Sequence, residues 1–247
     1  MAPTALASPI GAIGVADVPS ACYPWFAPLA AGHYADGADP LGFAEMISKK
    51  LFDAIANKYG HVASWAVWAK AGNKPKSNIA DIDVFDPMLN PALLETLHTD
   101  VVMVALNFSR EVAFELPFMN FHDPNPHGQD YKIRYAFEGT SFYGSYMTDI
   151  IKDFPMLSSK DVLTHLRDNP SKVQTQIDRF REEMTFIKSG CPTILAFGKQ
   201  TYDILYRWLN QKEYTSLIQL THYSHHISKE NYREDIFRRL GIPHEMK

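Results

Sequence analysis

The sequence lacks the features that mark membrane and secreted proteins. No stretch approaches the roughly 18 consecutive apolar residues of a membrane-spanning helix, so we expect no membrane partner. The amino terminus has no basic region of the kind that opens a secretory signal. Both absences favour a cytoplasmic protein.

Cysteine is scarce. The only two cysteines among 247 residues are Cys22 and Cys191, which lie far apart in the sequence. This pattern predicts neither a disulfide framework nor a zinc or iron–sulfur site built from thiolates. We expect both cysteines to be small buried apolar residues.

Excess positive charge is missing as well. The chain has 24 lysines and arginines against 28 aspartates and glutamates, a formal net charge of -4. Because phosphate recognition usually leaves a basic footprint, this balance disfavours a protein that coats nucleic acid. A protein that samples DNA transiently needs only a few donors around one opening, so the charge does not exclude that class.

What is present is the composition of an ordinary globular protein, with 46% hydrophobic and 21% charged residues. Residues 1–40 are rich in Ala, Pro and Gly and predict an extended amino-terminal segment. Residues 41–247 suit a single domain with a full core. A surface without strong overall charge favours a monomer.

Helical and strand patterns alternate along this domain. Helices are predicted over residues 40–59, 91–98, 131–137, 158–167, 171–188, 199–209 and 229–240. Four strands are predicted over residues 101–106, 142–148, 192–197 and 216–220, and residues 62–70 form a further strand or a short buried segment. The alternation predicts an α/β fold of three α/β/α layers around a central, mostly parallel four-stranded sheet.

The predicted strands end at residues that suit a site: Asn107, Asp149, Gly198 and His222. In open α/β sheets the carboxyl ends of parallel strands line the ligand crevice, so we expect these residues at one edge. The connection after Asn107 is long, and a long loop within a compact domain is usually functional.

These strand ends resemble those of the uracil-DNA glycosylase superfamily. The run Val104–Ser109 is similar to its first motif, where a strand ends in an Asp or Asn that positions water. The run Tyr146–Lys152 resembles the strand whose terminal Asn reads the uracil edge, and Thr221–His225 resembles the His-Pro-Ser loop. The helix and strand before that loop are also similar, at Phe180–Met184 and Pro192–Gly198, so the resemblance covers roughly residues 100–240.

The sequence departs from the best-known branches at three places. Leu106 (or Ala105) and Phe108 stand where glycine and proline normally flank the first-motif polar residue. Tyr223 replaces the proline of the His-Pro-Ser loop, and Asp149 stands where an amide is usual. The chain therefore looks like a divergent branch.

The resemblance implies a monofunctional hydrolase that cleaves the N-glycosidic bond of uracil, or of another deaminated base, in DNA and leaves an abasic site. No metal or organic cofactor would be needed. Asn107 would orient the attacking water through its amide oxygen. Neutral His222 would donate a hydrogen bond to O2 of the departing base and stabilise its negative charge. The alternative role for Asn107 is to cap the turn after its strand.

The residues that the resemblance places around a flipped base are Leu106, Phe108, Phe118, Phe121, Tyr143 and Asp149. A flipped base needs an aromatic platform, and Phe121 is favoured over Phe118 because polar residues flank it. Simple loop packing is the alternative for both rings. Tyr143 would exclude the methyl group of thymine.

Asp149 allows three interpretations. Uracil offers N3–H as a donor and O4 as an acceptor, whereas an ionised carboxylate only accepts. Either one oxygen of Asp149 is used and the backbone serves O4, or burial raises its pKa, or Asp149 caps a helix and does not touch the base.

The implied partner is uracil-containing DNA, single- or double-stranded, in a bacterial nucleoid. Ser109, Ser224 and His225 would contact its phosphates, which positions the strand without reading it. Lys152, Lys199, Lys229 and Arg233 lie after strand ends or near the last motif and would add positive charge, unless they are ordinary solvated surface residues.

Two other classes of function are open to the sequence. One is a glycosylase-like fold without catalysis that binds single-stranded or damaged DNA. The other is a metal hydrolase whose zinc ligands would be drawn from His222, His225, His226, His122, Asp123 and His127. Because adjacent histidines point in different directions on a regular backbone, we predict no metal site.

Overall fold

The structure is a computed structural model that describes residues 47–107, 116–125, 127–152 and 159–243. The predicted amino-terminal segment of residues 1–40 and the beginning of the first predicted helix lie outside these ranges.

Helices and strands alternate through the described residues. The helices are α1 (Lys49–Tyr59), α2 (Leu93–Thr96), α3 (Asp130–Phe137), α4 (Ser159–Asp168), α5 (Pro170–Phe186), α6 (Lys199–Trp208) and α7 (Lys229–Leu240). The strands are β1 (Ser64–Trp65), β2 (His98–Asn107), β3 (Ser145–Ile151), β4 (Thr193–Phe197) and β5 (Ser216–Leu220). Short 3₁₀ turns cover Ile82–Phe85 and Gln211–Glu213.

The strands form one mixed sheet in the order β1-β3-β2-β4-β5. β1 pairs with β3 antiparallel, and the other three pairings are parallel. The predicted α/β class and mostly parallel sheet are confirmed. The predicted count of four strands is wrong, because β1 adds a fifth at the edge. It is only two residues long, too short for an alternating pattern to distinguish it from a buried segment.

A hydrophobic core lies on each face of the sheet. Val102, Val104 and Ile150 face the core that α1, α4, α5 and α6 cover. Met103 and Met147 face the other core, which α3 and α7 cover. Successive residues of a strand point to opposite faces, so alternate residues of β2 reach the two cores. Helices therefore flank the sheet on both sides.

Local sequence explains where several helices begin and end. The Ser228 hydroxyl accepts a hydrogen bond from Asn231 N at 3.1 Å and caps α7, which ends at Gly241 with φ 66°. The predicted bounds of α7 are confirmed. At α5 the predicted serine cap is wrong, because Asn169 holds the cap position and Pro170 starts the helix.

β3 begins later and runs further than its pattern predicts. Gly144 has φ 89°, and a Cβ atom there would lie 2.0 Å from Thr96 O, so the chain turns at this glycine and the strand begins at Ser145. β3 continues to Ile151, which places Asp149 inside the strand instead of just after it.

Cys191 corrects the expectation for the cysteines. It is partly exposed and is not a free thiol. Cys22 lies outside the described residues. Within the described ranges, no helix combines the length and apolarity needed to cross a membrane.

Candidate functional site

The carboxyl ends of the parallel strands bring the predicted residues to one edge. Asn107 ends β2 opposite Ile151 of β3, Gly198 follows β4, and His222 follows β5. Since β4 lies between β2 and β5, the backbones at Asn107 and His222 stand about two strand spacings apart, roughly 10 Å.

His222 lies at the start of a tight turn. His225 N donates to His222 O at 2.9 Å, and the buried Lys132 ammonium donates to His225 O at 2.8 Å. Gly198 N donates to Leu220 O at 2.8 Å, at the last residue of β5, just before the turn. These bonds fix the backbone that presents the imidazole.

The His222 ring is neutral and carries its proton on Nε2. Ser224 N donates to His222 Nδ1 at 3.1 Å, and the Ser224 hydroxyl lies 2.8 Å from the same nitrogen. Burial lowers the pKa of His222 to about 4, so the imidazole stays uncharged at neutral pH. An acceptor at Nδ1 leaves Nε2–H as the donor of the ring.

Asp149 is buried, and only one of its oxygens is bonded within the described chain. Its Oδ2 accepts from Asn120 Nδ2 at 2.8 Å. Burial raises the pKa of Asp149 to about 7, against the opposing effects of the Asn120 amide and Lys152. The helix-capping interpretation is wrong, because Asp149 lies in the interior of β3. The interpretation that burial raises the pKa is supported.

Asn120 is a site residue that the sequence analysis missed. Its Nδ2 also donates to Val62 O at 2.7 Å, and its Oδ1 accepts from Phe121 N at 3.1 Å. One side chain thus orients both the carboxyl of Asp149 and the backbone of Phe121. The sequence did contain one indication of this role: Asn120 directly precedes Phe121, the predicted platform ring, in a loop with other polar residues.

The structure separates the two candidate platform rings. Phe118 is buried in the α1 side core, with its ring centroid 5.2 Å from that of Phe52, on the opposite face of the sheet from the core of Phe121. Phe121 belongs to the other core, and its ring lies 6.4 Å from that of Tyr223, edge on. Both have left-handed backbone, with φ 66° and 65°, which is uncommon for aromatic residues and is often found at functional sites.

Tyr223 is surrounded by rings. Its ring stacks on His222 with centroids 4.3 Å apart and an interplanar angle of 23°, and it meets Phe197 edge on at 5.5 Å. Burial raises the pKa of the Tyr223 phenol well above its ordinary value, and the carboxylates of Asp130 and Asp149 act in the same direction. Tyr223 therefore lies in a partly buried, aromatic environment beside the imidazole.

A buried ionic network supports the end of β3. The Lys152 ammonium lies 2.7 Å from Glu183 Oε2, and it also donates to Asp149 O. Glu183 Oε1 accepts from the hydroxyls of Tyr146 at 2.8 Å and Thr148 at 2.9 Å. Glu183 is wholly buried in α5, so the network ties that helix to the strand that bears Asp149.

Three predicted base contacts lie elsewhere or outside the described residues. Tyr143 precedes β3 at its amino end, with its hydroxyl 3.3 Å from Trp68 N and Trp68 O, so the structure does not bring it to the polar edge. Leu106 packs into the α1 side core, so only its backbone faces the edge. Phe108 and the predicted phosphate contact Ser109 lie outside the described residues, as does the turn that Asn107 would cap.

The remaining phosphate candidates are partly available. Ser224 and His225 are exposed on the turn after His222. Lys152 pairs with Glu183, and Lys199 pairs with Asp203 at 2.7 Å. The other two predicted cations are also engaged, Lys229 with Glu230 and Arg233 with backbone carbonyls of α3.

The histidines do not assemble into a metal site in the described part of the chain. No group of three or more His, Cys, Asp or Glu there could hold a metal ion. His122 is buried, with Nε2 2.9 Å from Val67 O and Nδ1 3.0 Å from Asn120 O, and burial lowers its pKa. Its ring is held by protein carbonyls next to Trp68.

The chain was compared with protein-family models, curated proteins and solved structures, and nothing matches in any of the three.

Proposed function

We propose that this protein is a monofunctional DNA glycosylase that hydrolyses the N-glycosidic bond of uracil in DNA, with a fold of the uracil-DNA glycosylase type. The observation that supports it most is a neutral imidazole donor, His222 Nε2–H, at the same sheet edge as the amide of Asn107, with the buried carboxyl of Asp149 two residues further inside the sheet, level with Ala105. No cofactor enters the proposed reaction, and the partner is a DNA strand bearing uracil.

His222 would act on the leaving base. Cleavage of the bond places negative charge on the base, and a fixed donor stabilises charge that develops in the transition state. A neutral donor suits this task, because it stabilises the base anion without transferring a full proton to it. The Ser224 N–H holds Nδ1 as an acceptor and so keeps the proton on Nε2.

Asp149 would read the uracil edge in its protonated form. Because Oδ2 accepts from Asn120, the proton belongs on Oδ1, where the carboxyl becomes a donor beside an acceptor. Oδ1–H would donate to O4, and the second lone pair of Oδ2 would accept from N3–H. A carboxylic acid then provides the same pattern as the amide that is usual at this position.

Asn107 and Phe121 complete the proposal. The Asn107 amide has no pKa near neutrality, so its oxygen would orient water instead of deprotonating it, which suffices when bond breaking precedes water attack. Phe121 is the ring on the correct face of the sheet to support a flipped base.

The test is cleavage of a labelled single-stranded oligonucleotide with one uracil, in EDTA, followed by alkali to break abasic sites. We expect His222→Ala to lower the single-turnover rate by at least a hundredfold, the usual loss on removing one such donor, with little change in oligonucleotide affinity. His61→Ala, which removes an exposed histidine in the turn after α1, is the matched control and should cleave like wild type. A His222→Ala protein with the wild-type rate would exclude the proposed role.

A second candidate is a non-catalytic reader of single-stranded or damaged DNA. The stacking of Tyr223 on His222 favours it, because a permanently stacked ring would keep a base from the imidazole. Wild-type protein that binds the uracil strand or an abasic strand tightly, without strand scission after alkali, would support this reader.

A further inference from the structure

Tyr223 occupies the space where the proposed function requires a base. A base read by this site would lie within reach of His222, next to Phe121 and against Asp149. The Tyr223 ring already has a face on the His222 ring at 4.3 Å and an edge contact to Phe121 at 6.4 Å. Phe121 and Asp149 are themselves joined through the Asn120 side chain, which bonds to both.

The phenol matches a pyrimidine base in form. Both are flat six-membered rings with polar substituents on the rim, and both pack by face and edge contacts with other aromatic rings. Phe197 closes the remaining side of the ring with an edge contact at 5.5 Å. A base stacked on His222 and in edge contact with Phe121 would take the position that the Tyr223 ring already holds.

Tyr223 has a route out of this position. It is only partly buried, and the residues that follow it, Ser224, His225 and His226, are exposed. Rotation about the side-chain torsions would carry the ring toward solvent, since staggered rotamers interconvert without movement of the backbone. The turn itself would stay fixed by Lys132 and by the His225 N to His222 O bond.

We propose that Tyr223 holds the place of the flipped base in the free protein, and that a base binds only when this ring is displaced. The inference rests on the proposed function. It makes Tyr223 the residue that sets affinity and base selectivity, because each base must compete with the phenol for the same contacts. When only a fraction of molecules has the ring displaced, the apparent dissociation constant is raised by that fraction.

The test compares Tyr223→Ala and Tyr223→Phe with wild type. Free uracil is titrated by calorimetry, and cleavage of the uracil oligonucleotide is measured in parallel. We expect Tyr223→Ala to bind free uracil at least tenfold more tightly and to lower KM, because the competitor is removed. Tyr223→Phe keeps the ring and should resemble wild type. Tyr202→Ala, which removes a half-buried tyrosine stacked on Tyr206, is the matched control and should not change uracil binding.

The two readouts separate the two proposals. Tighter uracil binding by Tyr223→Ala, with no cleavage by any variant, would uphold the role of Tyr223 and remove the glycosylase. Cleavage by wild type, with uracil binding by Tyr223→Ala equal to or weaker than that of wild type, would make Tyr223 part of the pocket wall and overturn the inference alone.

A measurement on the unaltered chain covers the case in which Tyr223→Ala does not fold. Ring-labelled tyrosine is observed by NMR, and the Tyr223 signal is assigned by its loss in Tyr223→Phe. Saturating uracil should move this signal toward the position of exposed tyrosine and abolish its contact with the His222 ring. Bound uracil with the His222 contact retained would overturn the inference.

Discussion

Asp149 and His222 are both kept neutral by the same physical cause. Burial disfavours the charged form, which raises the pKa of the carboxyl to about 7 and lowers that of the imidazole to about 4. Between these two values both groups are largely uncharged. Such an uncharged interior suits the proposed substrate, because uracil is a neutral heterocycle that gains charge only as its bond to the sugar breaks.

The pKa of Asp149 predicts the alkaline limit of activity. We expect kcat/KM on uracil DNA to fall as the pH rises through about 7, because the ionised carboxylate can no longer donate to O4 and repels it. Asp149→Asn should remove this decline and keep activity level into the alkaline range. The check is a pH–rate profile of both proteins; a decline of the same midpoint in Asp149→Asn would assign it to another group.

The titration of Asp149 should also change the free energy of unfolding, which can be measured without any substrate. A carboxyl whose pKa is raised on folding stabilises the fold at low pH, and that contribution is lost as the pH rises from about 4 to about 7. The loss amounts to a few kcal/mol, since each pKa unit corresponds to about 1.4 kcal/mol. The lowered pKa values of His222 and His122 act in the opposite direction over part of this range, so wild type must be compared with Asp149→Asn, which keeps both histidines. Urea unfolding at several pH values should show the stability of wild type falling relative to that of Asp149→Asn as the pH rises to about 7.

At the residue scale, the sequence predicted the polar groups and missed what orients them. Asn107 and His222 follow apolar runs, and such runs predict which residues reach a sheet edge. The same reasoning misplaced Asp149, which lies inside β3 because the strand continues to Ile151. Asn120 acts through contacts with residues distant in sequence, at Val62 and Asp149. Neither hydrophobic periodicity nor motif spacing contains that information, which depends on how the loop folds back.

At the scale of elements, β3 and α5 are joined by charge as well as by apolar packing. The Lys152 and Glu183 side chains form an ion pair that water hardly reaches, with exposed fractions of 10% and 0%. Buried pairs of this kind are costly to break because one charge is left without its partner.

Lys152→Met should destabilise the protein by about 3 kcal/mol, since it leaves Glu183 buried and unpaired. The double variant Lys152→Met with Glu183→Gln should recover at least half of that loss, because Gln still accepts from Tyr146 and Thr148 without a charge. Lys199→Met, which breaks an exposed pair, should cost less than about 1 kcal/mol. Urea unfolding measures all three; a Lys152→Met protein as stable as Lys199→Met would show that the network contributes little.

The predicted ends of helices and strands were correct where residues close in sequence determine them. β5 and α7 match their predicted residues, because a short, mostly apolar run defines the strand and a serine cap defines the start of the helix. β3 does not, since its beginning is fixed by the approach of Gly144 to Thr96, a contact between distant segments. The strand β1 exists only because β3 offers it an edge to pair with.

At the scale of the whole molecule, the sequence pattern limits the possible strand orders without selecting one of them. Alternating strands and helices required parallel neighbours and helices on both faces, and the structure has both. The pattern does not specify that β2 and β3 lie on one side of the order and β4 and β5 on the other. That arrangement decides which strand ends are neighbours, and thus the shape of the site.

The distribution of charge predicts a weak dependence of DNA binding on salt. Lys152, Lys199 and Lys229 are paired with carboxylates, and His222 is neutral, so we expect these predicted contacts to replace few counterions. We expect a slope of log K against log salt near -2 on single-stranded DNA, which corresponds to about three phosphate contacts. Fluorescence anisotropy across a salt series measures the slope, and a value steeper than about -5 would reveal a basic surface beyond these residues.

Phe118 and Phe121, close neighbours in one loop, belong to cores on opposite faces of the sheet. The short turn that joins them is therefore fixed by packing on both faces of the sheet. If Phe121 supports a flipped base as proposed, the position of that support depends on both cores, and damage to either core should weaken base binding.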